Sequence, residues 1–339
     1  MSNWIETHPE SPVRNSQSEG IGRIEAFGDT VLINNLGRNI EVSRLENGAL
    51  HRQSLFDETL YPDDDEPSQF DLDMHAFLPS PDGKHLLALN HHGLVRVFGR
   101  TSHRLVDSFL WYGDVERTVM IDGCLVGSSP NGYATEDPAA DGIVIGEPWQ
   151  PHAAPGSRNR IRSTFLLDDW GKVSAVEAVE NGDKLGIVSG RRLGLFSLYR
   201  NGGLKIEKLL WETDLPFPVS WIKYSPANRE LFVAGEGGSA SFSDESGAPL
   251  KQFLLKADLA WGNGAVPLAL AGDQLIGADR MGGIYSWSLS AGSPEARVIL
   301  EPSASQSLGF AHMALCGDHV LCGYNRGGYR ILYANVRTH

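Results

Sequence analysis

Cysteine, basic residues and long apolar runs are all scarce in this sequence. The chain has 3 cysteines, and its 29 lysines and arginines are outnumbered by 42 aspartates and glutamates, which gives a formal net charge of −13. Nucleic acids and anionic membranes are bound non-specifically by basic surfaces, because their phosphates must be neutralised. We therefore expect neither a nucleic acid nor a membrane among the partners.

The sequence also lacks the segments that direct a chain into or across a membrane. No stretch approaches the ~18 consecutive apolar residues of a membrane-spanning helix. The opening residues Met-Ser-Asn-Trp-Ile-Glu have neither a basic start nor an apolar run, so no signal peptide is expected. These features predict a soluble cytoplasmic protein.

The three cysteines are too few for a disulfide framework. Cys316 and Cys322 belong to one predicted hairpin, in which Cys316 lies opposite His319 and Cys322 lies opposite Met313. This offset places the two Cα atoms too far apart for a disulfide bond. We predict that all three, including Cys124, are small core side chains in a reducing compartment.

Glycine and proline, by contrast, are abundant, with 38 and 18 residues, and they mark a repeat. A tight turn of Gly followed by Asp recurs after short apolar runs, because both residues accept the positive φ that such turns require. This turn is found at residues 28–29, 272–273 and 317–318. A glycine that opens the third strand recurs every 45 residues, at Gly238, Gly283 and Gly328. Upstream, the same register falls on Arg192, Gly142, Gly93 and Arg38 and completes seven repeats.

A period of ~40–50 residues that carries four strands is typical of a β-propeller blade. The sequence therefore predicts an all-β fold, a seven-bladed β-propeller of four-stranded antiparallel blades in a single domain, 1–339. The inner strands should be apolar at consecutive positions, because neighbouring blades cover both of their faces. The predicted blades comprise residues 20–57, 74–111, 115–170, 172–212, 218–261, 264–302 and 308–336.

The last predicted blade has three strands instead of four. Residues 3–8 include Trp4 and Ile5, the large apolar side chains of an otherwise polar segment, and could supply the missing strand beside residues 330–336. We predict that this N-terminal strand closes the ring of blades, because an open ring leaves an unpaired strand edge. The alternative is a disordered tail.

Some segments carry a resemblance to a known superfamily. Phe77–Leu89, with its Ser-Pro-Asp-Gly-Lys turn, and Gly93–Phe98 resemble repeats of WD-repeat and YVTN-type propellers, and Tyr224–Gly235 is similar. The Trp-Asp dipeptide of true WD repeats is absent, since Trp287 is followed by Ser288. The resemblance implies a fold and a tendency to bind other molecules. Together with a set of tryptophans and the absence of a catalytic motif, it leads us to expect an interaction or scaffold propeller of the bacterial WD-repeat-like class, which acts as a subunit or accessory of a complex. Its partner would be another protein, bound through the loop face.

One set of positions carries candidate chemistry. When the first strands are aligned on the residue before the turn, the residue four positions earlier is an arginine or a histidine in blades 7, 1, 2 and 3. The resemblance implies that the innermost strands line a central channel and that this end of them lies at the ligand-binding face. The loops between second and third strands open on the same face and add two arginines. The ligand-binding candidates are Arg23, His75, Arg117, His312, Arg280 and Arg326.

A basic pocket on an acidic molecule suits a small anion such as a carboxylate or phosphate in the channel. His75 and His312 are candidate general acids or bases, because a neighbouring arginine lowers the pKa of an imidazole. The alternative function is therefore a small-anion binder or a lyase or hydrolase that acts on a carboxylate-bearing substrate, and whether the protein is an enzyme stays open. The structural alternative is a belt of ion pairs, in which Glu25 and Glu177 pair with Arg23 or Arg117.

Two further features have both a structural and a functional interpretation. The acidic segment 61–73 could chelate calcium, but its spacing fits no calcium loop, which favours a solvated acidic loop. Tryptophans at the ends of fourth strands could fill the seams between blades or form an aromatic rim for a partner. These are Trp111, Trp170, Trp211 and Trp261. No metal or other cofactor is expected.

Overall fold

The structure is a computed structural model of the chain. It describes residues 3–6, 21–35, 39–56, 74–90, 94–111, 113, 117–128, 142–149, 161–167, 169–256, 258–261, 266–290, 296–304, 307–326 and 328–335. The acidic segment 61–73 lies outside the described residues, so both interpretations of it stay open. The chain divides into two compact units: unit 1 contains Met1–His75 and Leu255–His339, and unit 2 contains Ala76–Leu254. The single domain over residues 1–339 stays a prediction.

The described residues form 28 strands, which belong to seven sheets. The first strand, β1, spans Asn3–Glu6. The strands of sheet 1 are β2 (Arg23–Phe27), β3 (Thr30–Asn35), β4 (Asn39–Glu46) and β5 (Ala49–Phe56). Sheet 2 contains β6 (Met74–Pro79), β7 (His85–Asn90), β8 (Leu94–Gly99) and β9 (Leu105–Leu110). Sheet 3 contains β10 (Thr118–Ile121), β11 (Cys124–Ser128), β12 (Gly142–Gly146) and β13 (Ile161–Leu166).

The remaining sheets follow the same plan. Sheet 4 contains β14 (Val173–Val179), β15 (Lys184–Ser189), β16 (Arg192–Tyr199) and β17 (Lys205–Asp214). Sheet 5 contains β18 (Trp221–Ser225), β19 (Glu230–Gly235), β20 (Gly238–Ser243) and β21 (Pro249–Phe253). Sheet 6 contains β22 (Leu268–Ala271), β23 (Gln274–Ala278), β24 (Ile284–Ser288) and β25 (Arg297–Leu300). The last three strands are β26 (Ala311–Cys316), β27 (His319–Tyr324) and β28 (Gly328–Asn335).

Each sheet has four strands, so the fold is the predicted all-β, seven-bladed β-propeller. A single-turn 3₁₀ helix, Glu180–Gly182, follows β14. No helix among the described residues is long and apolar enough to cross a membrane. Every sheet except the last is built from consecutive strands in chain order, which is the arrangement that the repeat predicts.

Sheet 7 takes its outer strand from the other end of the chain. Its order is β1, β28, β27, β26. β1 runs antiparallel to β28, with Trp4 opposite Ala334 and Ile5 opposite Tyr333. The prediction that an N-terminal strand completes the last blade is therefore confirmed.

The turns that mark the repeat have the backbone geometry that their residues favour. Gly28, Gly272 and Gly317 open the predicted Gly-Asp turns with φ of 67°, 59° and 56°. In sheet 3 the order is reversed, and Asp122 and Gly123 have φ of 50° and 81°. The Gly-Asp turns therefore have one positive φ, at their first residue, and the reversed turn has two; both patterns match the right-handed twist of the flanking strands. These turns fix where the first strands of sheets 1, 3, 6 and 7 end.

Consecutive burial occurs in the middle strands and not, as predicted, in the innermost ones, where buried and half-buried residues mix in β2, β10 and β22. All residues of β11 and β19 are buried, as are five of the six residues of β7. The outer strand β9 alternates between half-buried and exposed residues. A middle strand is covered on both faces, whereas an outer strand is covered on one, and the alternation follows from that difference. The apolar core therefore lies along the middle strands of each sheet.

The three cysteines are buried and none of them forms a disulfide bond, as predicted. Cys316 lies opposite His319 and Cys322 opposite Met313, which confirms the register of that hairpin. Burial raises the pKa of the Cys322 thiol to about 12. A thiol with this pKa stays protonated and packs as a small apolar side chain.

Candidate functional site

Three of the predicted site residues belong to unit 1, and each lies on the innermost strand of its sheet. Arg23 is the first residue of β2 and lies opposite Asn34. His75 is the second residue of β6, and its side chain lies outside the described part of the structure. His312 is the second residue of β26, opposite Gly323. The three residues therefore hold equivalent places near the start of their strands, as the alignment predicts.

The charge of Arg23 is compensated within its own strand. Its Nε and Nη2 atoms lie 2.9 and 2.5 Å from Oε1 of Glu25. The two side chains are 17% and 27% exposed. Partial burial strengthens this pair relative to a surface ion pair. An external anion at Arg23 would therefore have to compete with an internal carboxylate.

His312 is 7% exposed, so nearly all of the residue is enclosed by protein. The strand around it is tied to the preceding sheet, since Met313 donates its N–H to the carbonyl of Val266 at 3.0 Å. An imidazole in this position presents little surface to a ligand. A role as acid or base is restricted to a small molecule that reaches the innermost strand.

Arg117 belongs to unit 2 and immediately precedes β10. Its Nε donates to the carbonyl of Ser174 at 3.0 Å. The predicted partner Glu177 instead lies 3.1 Å from Nζ of Lys223 and accepts the N–H of Tyr224. Of the ion-pair alternative, the pair of Arg23 with Glu25 is observed, whereas Glu177 pairs with Lys223 instead of an arginine.

The loop residues Arg280 and Arg326 form a surface in unit 1, which we call the arginine patch, with Trp261, Leu308 and Phe310. Arg280 donates from Nη2 to the carbonyl of Trp261 at 2.7 Å, and its guanidinium carbon lies 5.0 Å from the ring centre of Phe310. This is the geometry of a cation–π contact. Arg280 and Arg326 are exposed, while the three apolar residues are half-buried.

A buried charge cluster beneath this surface was not predicted from the sequence. The carboxylate of Asp279 is 1% exposed. Its Oδ1 atom accepts the N–H groups of Met281 and Gly283, both at 2.8 Å. Its Oδ2 atom accepts the hydroxyl of Tyr285 at 2.7 Å and lies 3.3 Å from Nζ of Lys256, which also bonds the Tyr285 oxygen. Asp279 therefore closes the loop that carries Arg280 and fastens it to the segment before the sheet.

The hydrogen bonds of this cluster decide its protonation. Burial alone would raise the pKa of Asp279, but the bonds from Tyr285, the two backbone N–H groups and Lys256 outweigh it and hold the pKa below its ordinary value. Burial alone would lower the pKa of Lys256, but its hydrogen bonds to Tyr285, Asp258 and Asp279 outweigh burial and raise the pKa above its ordinary value. At neutral pH the cluster is a charged pair with a neutral tyrosine, so it provides neither a base nor a nucleophile.

A residue in sheet 2 shows which sequence pattern could have predicted the role of Asp279. Asn90 ends the second strand, and its Oδ1 atom accepts the N–H of Leu94, four positions later, at 2.7 Å. Asp279 uses the same spacing with Gly283. A polar residue at the end of the second strand of a repeat therefore indicates a side chain that closes the following loop.

The four tryptophans predicted at the ends of fourth strands divide between the two interpretations, although Trp211 lies inside β17 and Trp261 lies eight residues after β21. Trp111 is buried and donates its indole N–H to Oγ1 of Thr118, and Trp211 donates to the carbonyl of Asp244. Trp170 packs on Phe196 with ring centres 5.6 Å apart. These contacts fit seam filling, whereas Trp261 belongs to the arginine patch.

The described residues also line an open pocket of about 520 Å³ in unit 1, at the turns that end β2 and β26. Cys316 donates its thiol to the carbonyl of Gly28 at 3.0 Å. Burial raises the pKa of Cys316 and lowers that of His319, so both are neutral near pH 7. Among the described residues that line it there is no cation to hold an anion. They are Gly28, Asp29, Leu45, Asn47, Gly48, Cys316, Gly317 and His319.

No cluster of three or more His, Cys, Asp or Glu side chains suited to a metal ion occurs within the described ranges. Among protein-family models and curated proteins, none matches this chain.

Proposed function

We propose that this protein is an interaction propeller, a rigid scaffold that binds another protein through the loops between second and third strands. The observation that carries this proposal is the arginine patch, in which Trp261, Arg280 and Phe310 form one connected surface. Tryptophan, arginine and other aromatic residues dominate the energetics of protein interfaces. The propeller fold gives this surface a rigid support, but the fold alone does not determine what the protein binds.

The proposal includes the WD-repeat-like, YVTN-type class and a cytoplasmic location. The turn that suggests this class is closed by its own side chains: Ser80 donates to Oδ1 of Asp82 at 2.6 Å, and the same oxygen accepts the N–H of Lys84 at 3.0 Å. This network explains why the Ser-Pro-Asp-Gly-Lys sequence forms a tight turn. A soluble subunit or accessory of a complex is the role that this combination supports.

The test is affinity purification of the tagged protein from an extract of its native organism. We expect one stoichiometric partner for the wild type and its loss in Trp261→Ala and Arg280→Ala. The control is Val298→Ala, because Val298 is 43% exposed on β25 of the same sheet and lies outside the arginine patch. Recovery of no partner at low salt, or equal recovery with all three variants, would argue against this function.

The second candidate is binding or turnover of a small anion, and it is favoured by the equivalent strand positions of Arg23, His75 and His312. Arg280 and Arg326 belong to the same unit as these three residues. Arg117 belongs to the other unit, so its variant is tested separately. A thermal-shift screen with carboxylates and phosphates examines this candidate. A stabilising ligand whose effect disappears in Arg23→Ala or His312→Ala supports it, and a flat screen favours the scaffold.

A further inference from the structure

The fold holds the two arginines of the proposed interface close together. Leu308 donates its N–H to the carbonyl of Arg280 at 2.6 Å, and its own carbonyl accepts the N–H of Arg326 at 2.9 Å. One residue thus bridges the loop of sheet 6 and the loop of sheet 7 through the backbone. Both arginine side chains are exposed, so two positive charges project from adjacent loops.

In the part of the chain that the structure describes, no carboxylate neutralises either charge. Asp279 precedes Arg280 in the chain, but its carboxylate is buried and turned toward Lys256 and Tyr285. Within the described ranges neither Arg280 nor Arg326 forms an ion pair. Elsewhere the exposed arginines Arg44 and Arg200 lie 2.7 Å from a carboxylate oxygen.

The guanidinium of Arg280 is also held in one orientation. One nitrogen is bound to the carbonyl of Trp261, and the plane lies over Phe310. A guanidinium has five N–H donors, and a fixed one loses little freedom when it binds a carboxylate. The remaining donors of Arg280 therefore suit an anionic group that approaches from the solvent.

The apolar side chains next to the two arginines indicate what else the ligand carries. Leu308 and Phe310 flank Gly309 and are half-buried, so part of each faces the solvent. A purely ionic ligand such as a phosphate ion would leave this apolar surface exposed. A peptide segment can cover both parts at once.

We infer that the arginine patch binds an acidic peptide segment of the partner, with carboxylates on Arg280 and Arg326 and an apolar side chain against Leu308 and Phe310. The inference rests on the proposed function and names the chemistry of its partner. The rest of the molecule carries an excess of negative charge, with a formal net charge of −13, and repels an acidic segment. Arg280 and Arg326 then determine where such a segment binds, because electrostatic complementarity mainly governs the position and the specificity of binding.

The test is a selection from a random dodecapeptide display library on the purified protein. We expect the enriched peptides to be acidic and to contain an apolar residue. A resynthesised peptide is then measured by fluorescence anisotropy, and its binding should weaken when NaCl is raised from 50 to 200 mM. Charge reversal in Arg280→Glu or Arg326→Glu should weaken it by about tenfold or more, since each lost charge-assisted contact becomes a repulsion.

The matched control is Arg297→Glu, which makes the same charge change at an exposed position of β25 in the same sheet. Its affinity should stay within about twofold of the wild type, because Arg297 lies on the outer strand and not in the loops that carry Arg280 and Arg326. Glutarate and inorganic phosphate serve as competitors. Displacement of the peptide by either at low millimolar concentration would show a simple anion site and overturn the inference.

Three outcomes separate this inference from the proposed function. If affinity purification recovers a partner through Trp261 and Arg280 but the enriched peptides are neutral or basic, the acidic-segment inference fails and the scaffold function stands. If such a partner is recovered and no peptide is enriched, the inference fails in the same way. If no partner depends on the arginine patch, the proposed function itself fails.

Discussion

The buried carboxylate of Asp279 shows how one residue can set the geometry of a loop. Its two oxygens accept four hydrogen bonds, two of them from the backbone of the loop itself. The bond with Lys256 spans 23 residues and fastens the segment before sheet 6 to the loop. Because Asp279 is turned inward, the next side chain, Arg280, is directed to the surface.

The variant Asp279→Asn should destabilise the protein at neutral pH. It keeps an oxygen acceptor but removes the charge that Lys256 requires, so we expect a loss of about 1.5–3 kcal/mol, typical of hydrogen bonds to charged groups. The comparison is Asp318→Asn, in an exposed turn of the same unit, which should change stability little. Urea denaturation at pH 7 measures both, and equal midpoints for the two variants would show that the cluster contributes nothing.

The same carboxylate gives a pH dependence of definite sign. The pKa of Asp279 is lowered in the folded state, so its contribution is complete above the unfolded value of about 3.9 and is lost as the pH falls further, through the folded pKa. Wild type should therefore lose more stability than Asp279→Asn between pH 5 and the lowest pH at which both fold. Parallel stability curves over that range would contradict this assignment.

Gly309 connects the two apolar residues of the arginine patch and has a φ of 89°. A Cβ atom at this position would overlap Oδ1 of Asn325. Gly309→Ala should therefore lower the free energy of unfolding by about 1–3 kcal/mol, from backbone strain and steric overlap together. It should also weaken partner binding, since Leu308 and Phe310 must move.

The control for Gly309 separates the two causes. Gly272 has a φ of 59° and nothing within 4 Å of the added Cβ. Gly272→Ala reports the strain alone, measured as a change in the urea midpoint. If the two variants lose the same stability, the overlap with Asn325 is relieved at no cost, and binding should then be unaffected.

At the residue scale the sequence predicts contacts that are local and misses those that depend on a distant segment. Arg23 and Glu25 are two positions apart on one strand, and their pairing was one of the predicted alternatives. The contact of Lys256 with Asp279 and Tyr285 depends on how the segment before sheet 6 folds back, and no repeat pattern encodes that path. The same limit applies to Lys223 beside Glu177.

At the scale of the strand, the residues of the turns determine whether strand ends can be predicted from the sequence. Two-residue Gly-Asp turns fix the ends of β2, β22 and β26, and the predicted ends agree with the structure. In sheet 5 the last pair is Ser225 with Glu230, and no Gly-Asp turn marks the end of the strand. The connection there is longer and contains Arg229 at a φ of 53°, so its length was not evident from glycine or proline.

The pairing of β1 with β28 leads to a prediction for the whole of sheet 7. Removal of residues 1–6 should expose the edge of β28 and lower the free energy of unfolding by about 2–4 kcal/mol, since several backbone hydrogen bonds worth ~1 kcal/mol each are lost. The melting temperature should fall by several degrees, and Trp4→Ala is expected to act in the same direction. Removal of residues 1–2 alone keeps β1 and serves as the control; a truncated protein that melts like this control would show that β1 does not contribute.

At the scale of the whole molecule, the net charge predicts opposite salt effects on stability and on binding. Self-repulsion of a chain with a net charge of −13 is screened by salt, so the melting temperature should rise between 20 and 200 mM NaCl. Binding of an acidic segment to Arg280 and Arg326 should weaken over the same range. A melting temperature that is flat or falls would mean that opposite charges are already paired across the surface.

Sheet 7 also determines the order in which the molecule can assemble. A ribosome makes β1 before the strands of the other six sheets and β28 after them, so β1 waits for its partner while those sheets are synthesised. The other six sheets consist of consecutive strands and can form as they emerge, whereas the last pairing closes a loop of almost the full chain, which is entropically slow. During that interval β1 is a free strand able to pair with a wrong edge, and a permuted chain in which β1 directly follows β28 would remove the interval.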